Sequence, residues 1–196
     1  MPPANRVDDR DRGWRDLLRR AQALQGKAWV KVGILADSDR GGLHQQGPDG
    51  KSSPLTVAEI AVVNEFGTED GKIPARSFLR SSFDESQDEL TALSAKLIAA
   101  VVLDGKMDAI RALNLLGMKF ASIVRNKVVG GDQVPPPNAP STTRRKEAKG
   151  KWNKRGKAQA AGAGVRTLVD TGRMVGAIAW AVVIGDDQRA ESYIGR

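Results

Sequence analysis

The residues best suited to chemistry are cations crowded into one segment. Arg144, Arg145, Lys146, Lys149, Lys151, Lys154, Arg155 and Lys157 stand against a single acid, Glu147, and carry seven of the eight net positive charges of the chain. Such a run can hold phosphates or an acidic protein surface. Trp152 is its only aromatic residue, so it lacks the repeated stacking platforms of single-strand binders, and no base-reading helix is evident beside it. Three roles stay open for it: a solvated surface loop, a loop ordered by an acidic neighbouring subunit, or a loop touching passing DNA without sequence preference. Other chemistry finds little support. His44 is the only histidine and lies in a Gly/Gln/Pro-rich stretch, and cysteine is absent. A Ser–His–Asp triad, a thiolate metal site and a cysteine nucleophile therefore drop out. The triplet Asp170, Thr171, Gly172 lacks the partner sequence that acid proteolysis needs and reads as a helix cap. The remaining acids are scattered, and no phosphate-binding glycine pattern occurs. The expectation is a protein without cofactor, metal or catalytic residues, and not an enzyme.

The elements that must position the cations belong to an ordinary core. A chain of 196 residues with 40% hydrophobic content supports one domain, 1–196, interrupted by a Pro/Gly/Lys/Arg-rich loop over 130–164. Aromatics make up only 5%, so the core is thin and neighbouring subunits are expected to add stability. No apolar stretch is long enough to span a bilayer, and the first residues lack a signal-peptide core, so the protein is expected to stay in the cell that makes it. The absence of cysteine suits a reducing cytoplasm.

Trp14, Leu17, Leu18, Ala21 and Leu24 fall at helical spacing, with Gly26 as the stop. Ala28 to Leu35 predicts a strand, and Asp37 to Pro54 a surface loop. Thr56 and Glu59 form a capping box, with Leu55 and Ile60 as its hydrophobic staple and Gly67 ending the helix in a left-handed conformation. A second helix runs from about Ser77 or Ser81 to Leu103, with a stripe of Leu79, Phe83, Leu90, Leu93, Leu97 and Val101. A third runs from about Met107 to Val128 on Ile110, Leu113, Leu116, Phe120 and Ile123 or Val124. Both stripes read as packing faces. After the long loop, a short helix capped by Asp170 or Thr171 leads to a strand at Ile178 to Ile184. Gly185-Asp186-Asp187 then turns into a last strand near Tyr193. Pairing the strands from opposite ends gives an α+β fold, a small, mostly antiparallel sheet packed with long helices.

Three stretches, taken in order, resemble a known family. They are LTVAEIAVVNEFGTEDGKIPARSFLRSSFDE from Leu55 to Glu85, PPPNAPSTTRRK from Pro135 to Lys146, and LVDTGRMVGAIAW from Leu168 to Trp180. Together they resemble the tail-completion and neck proteins of long-tailed bacteriophages. The positions that carry the resemblance are Glu65, Gly67, Thr68, Ile73, Pro74, Arg76, Phe78, Leu79, Arg80, Asp170, Thr171 and Gly172; Met174 stands where leucine is commoner, and the basic insertion is longer than the family pattern. The resemblance implies a structural virion protein, commonly a homohexameric ring around the DNA channel at the head–tail junction. It would be assembled in the host cytoplasm and would contact the tail tube protein and head-side connector proteins. Taken as bare residues, Glu65, Gly67 and Thr68 are a helix end and turn. Arg76 and Arg80 could pair with acids of the next subunit, pair within their own, or remain solvated. A non-specific DNA-binding module built on the basic loop is the competing expectation.

Overall fold

The two strands from opposite ends of the sequence pair with each other. The computed structural model describes residues 12–23, 28–35, 56–130, 134–150, 168, 172–184 and 191–195. Its elements are α1 (Trp14–Ala23), β1 (Ala28–Ile34), α2 (Val57–Phe66), α3 (Phe78–Val102), α4 (Ala109–Val129), α5 (Pro140–Gly150), α6 (Arg173–Ala177), β2 (Ile178–Ile184) and β3 (Glu191–Gly195). β2 is the central strand, antiparallel to β1 and to β3, with Ala28 opposite Ile184 and Ile34 opposite Ile178. A bulge falls between Val182 and Val183. This is an α+β fold with helices packed on a small antiparallel sheet.

The period-two pattern of the strands decides what α4 meets. Val30, Val32 and Ile34 stand opposite Val182, Trp180 and Ile178, so the six side chains share one face. α4 lies on that face, and its contact line is made of small residues. Gly117 and Ala121 are buried, and a Cβ at Gly117 would sit 2.6 Å from Trp180 Cδ1 and 2.9 Å from Val30 Cγ1. Three residues earlier, Asn114 Oδ1 accepts from Trp180 Nε1 at 3.2 Å. Arg125, two turns beyond Gly117, donates to the Ile178 carbonyl. The indole is thus held by shape and by one polar bond.

The expected helical stripes are partly corrected by this close approach. Ile110 and Phe83 are exposed, and the buried positions of α4 are Ala112, Gly117, Ala121, Val124, Lys127 and Val128. A stripe drawn through the largest apolar residues misses a face that must be small to touch a sheet. On α3 the buried side chains of the first half are Phe78, Ser82 and Ser86. Each serine hydroxyl donates to the carbonyl four residues back, at 2.6 Å in both cases, so it enters the interior without an orphan donor. Phe83 still meets Phe120 of α4 edge to face, with centroids 5.8 Å apart.

α3 and α4 form a hairpin whose far end has its own small core of Leu97, Val101 and Ala112. Asp108 caps α4 through Arg111 N at 2.7 Å. α1 rests against the end of α3, where Arg20 donates to the Leu103 carbonyl at 3.3 Å and supplies a cation to the helix C-terminus. The main core joins Phe78, Val124, Val128, Ile178 and Trp180 to Val57 and Ala61 of α2, and to Val134, Leu168, Met174 and Ala177.

Two further expectations change. The stretch 130–164 is not all loop, because Pro140–Gly150 is a helix. Pro140 needs no amide donor in the first turn, and Arg144, Arg145, Lys146, Glu147 and Ala148 are strong helix formers. Having little to bury argued for a loop, but local propensity favours a helix. The α6 cap is Gly172 at φ 74°, with no side-chain bond; Asp170 and Thr171 lie outside the described residues. So do Leu55 of the staple, Gly26, His44 and the loop 37–54, the turn 185–187, and Lys151, Trp152, Lys154, Arg155 and Lys157. Among the described residues, no helix is long and apolar enough to cross a membrane.

Candidate assembly surfaces

α2 starts as the sequence predicts. Thr56 Oγ1 accepts from Glu59 N at 3.1 Å while Glu59 Oε2 accepts from Thr56 N at 2.7 Å, a complete capping box. Those bonds hold the Glu59 carboxyl below its ordinary pKa, the Thr56 backbone first and its hydroxyl second. α2 ends at Gly67, whose φ of 77° and ψ of −175° is open to glycine but is not the left-handed cap expected. A Cβ there would lie 2.8 Å from Ala75 N and 2.9 Å from the Ile73 carbonyl. The turn is closed by Thr68, whose amide donates to the Ile73 carbonyl at 2.9 Å and whose hydroxyl accepts from Ile73 N at 3.0 Å.

Glu65 does more than end a helix. It is 7% exposed, and its carboxylate accepts from Ser77 Oγ at 2.6 Å, Leu79 N at 2.9 Å and Arg80 N at 3.1 Å. Ser77 stands at the N-cap of α3 but makes no cap bond of its own. The carboxylate of the preceding helix takes that role, placing a negative charge at the positive end of α3. Ser77 lies twelve residues beyond Glu65, outside the reach of local capping rules, so the residue type is the only trace of this cap in the sequence.

Arg76 binds the Pro-rich stretch to the same joint. It is also 7% exposed, and it donates from Nε to the Pro136 carbonyl at 2.9 Å and from Nη2 to the Pro137 carbonyl at 3.2 Å. Desolvation lowers its pKa from the ordinary value, but an arginine remains charged at any physiological pH. Its place is within the subunit, and pairing with a neighbour's acid drops out. Arg80 is exposed, and only its backbone amide joins Glu65. Ile73 and Pro74 are exposed on the turn, Phe78 is fully buried, and Leu79 packs on the main core. Three segments therefore meet at one joint: the end of α2, the start of α3 and, sixty residues on, Pro136–Pro137. Gly172 is exposed at the start of α6, which itself packs on α2.

Arg144 and Arg145 are exposed on α5, and Lys146 and Lys149 belong to the same helix. Large apolar side chains are exposed near both ends of the α3–α4 hairpin, besides Trp29, Phe83 and Met118 elsewhere. Val62 and Phe66, one turn apart on α2, are exposed, Phe66 to 64%, with Ile73 on the following turn. At the other end of the hairpin, Trp14, Leu18, Ile98, Ile110 and Leu103 are exposed, Leu103 to 64%. α3 has 25 residues, so at about 1.5 Å per residue its two ends lie roughly 37 Å apart. The chain matches no family model, no curated protein and no solved structure.

Proposed function

We propose that this chain is a structural subunit of a ring at the head–tail junction of a tailed phage particle, acting by self-association and docking rather than catalysis. The observation that carries the proposal is the exposure of large apolar side chains near both ends of α3, Val62, Phe66 and Ile73 near its start and Ile98 and Leu103 at its close. A head-to-tail ring needs two different patches per subunit, one for each neighbour. The motifs that resemble tail-completion and neck proteins support the same reading, since Glu65 and Arg76 knit two of those stretches into the joint beside one patch. On this reading the ring has six copies, with the tail tube protein on one side and head-side connector proteins on the other. Mixing the purified chain with tail tubes should give rings at tube ends in electron micrographs. Bare tubes beside a chain that remains monomeric would contradict the proposal.

A non-specific DNA-binding role is the second reading, favoured by the exposed Arg144 and Arg145 on a helix of basic composition. Deleting 144–157 should then abolish salt-sensitive DNA binding while the fold survives. An intact chain that ignores DNA at low salt would remove this reading.

A further inference from the structure

The start of α3 carries four acids in six residues, and they fall into two classes. Glu85 pairs with Lys127 and Glu89 with Lys119, both across the hairpin to α4. The side chains of Asp84 and Asp88, one turn apart on the exposed side, have no ion pair or hydrogen bond among the described residues. Phe83 beside them is 47% exposed. On α5, Arg144 and Arg145 are exposed and equally without a partner among the described residues. α5 follows Pro136 and Pro137, which Arg76 holds at the start of α3. Even so, in the single chain neither arginine forms an ion pair with either aspartate.

We infer that Arg144 and Arg145 of one copy dock on the Asp84/Asp88 face of α3 in the next copy, making a charge-complementary contact between ring neighbours. This rests on the ring reading above. The occupant is a second copy because both halves of the contact are present and exposed on the same chain and, among the described residues, unmatched. Arginine suits the task, since its planar fork can hold a carboxylate through two parallel bonds. The contact is heterologous, with a basic helix on one side and an acidic helix face on the other. In a ring each copy offers its basic helix to one neighbour and its acidic face to the other, and the contact closes the ring where the rotation between copies closes.

The test uses the full chain in three forms: wild type, D84K/D88K and R144E/R145E, each measured by light scattering, alone and with tail tubes. Circular dichroism establishes that each variant is folded. The wild type should assemble, and each reversed variant should assemble about a hundredfold more weakly, since like charges then face each other. Mixing the two variants should restore assembly, because every junction in an alternating ring again joins opposite charges. Wild-type assembly should weaken at least about tenfold on raising salt from ~0.1 M to ~1 M, where the screening length falls from roughly 10 Å to 3 Å. Variants that assemble like wild type would overturn this contact and leave the ring reading standing. Folded variants that fail alone and stay separate when mixed would also overturn it, because opposite charges would then be offered at every junction without joining the copies. A wild type that never assembles, even beside tail tubes, would overturn both.

Discussion

Replacing Glu65 with alanine should destabilise the fold by about 3 kcal/mol. The carboxylate accepts three hydrogen bonds, two of them from backbone amides that open α3 and one from Ser77. Hydrogen bonds to a charged group contribute roughly 1.5–3 kcal/mol each when fully buried, and a charge at a helix start adds about 0.3–1 kcal/mol. Water can reach the half-buried amides once the side chain is gone, so the loss falls well below the full total. For a chain of this size, 3 kcal/mol corresponds to a fall in Tm of about 6–12 °C. Glu65→Gln keeps one acceptor but turns an NH2 group toward donors, and should lose about half as much. Ser77→Ala alone should lose about 1 kcal/mol, most of it disappearing in the Glu65→Ala background. Urea denaturation of the wild type and these four variants, the double variant included, measures all of these. A loss below about 0.5 kcal/mol for Glu65→Ala, or strict additivity with Ser77→Ala, would refute the idea that Glu65 caps α3.

Gly117→Val should destabilise by about 3 kcal/mol or more, as overpacking against Trp180 and Val30 outweighs any gain in helix propensity; the midpoint of a denaturant titration reports it. Arg76→Lys cannot span two carbonyls from one planar group, so limited proteolysis should cut the segment 138–150 about tenfold faster than in wild type, the order expected for losing one of two charge-assisted bonds of about 1.5 kcal/mol each. The capping box gives a pH prediction. The Glu59 carboxyl is held below its ordinary 4.5, so its contribution to stability is present above pH 4.5 and disappears as the pH falls through the lowered folded value. Thr56→Ala should flatten that acid limb of the stability profile, and an unchanged limb would show that the box does not set it.

The sequence made the elements legible wherever periodicity and local capping decide them. β2 and the capping box fall where the pattern places them, and the antiparallel pairing of the terminal strands follows from closing the domain. What stayed hidden depends on contacts across space. The α4 face was misread because Gly117 and Ala121 carry no size signal, although their smallness lets the helix touch Trp180. α5 reads as loop because nothing in it needs burial, whereas Pro140 and the residues after it favour a helix locally. The roles of Glu65 and Arg76 were hidden for the same reason. One caps a helix twelve residues on, and the other reaches carbonyls sixty residues on. Neither bond leaves a trace in a single sequence beyond the residue type.

The central claim is self-association into a ring, and the mass of the full chain in solution tests it most directly. Light scattering on the purified protein, alone and with tail tubes, should give a mass near six subunits or mass added at tube ends. A mass of one subunit at every concentration, unchanged by tubes, would contradict the account.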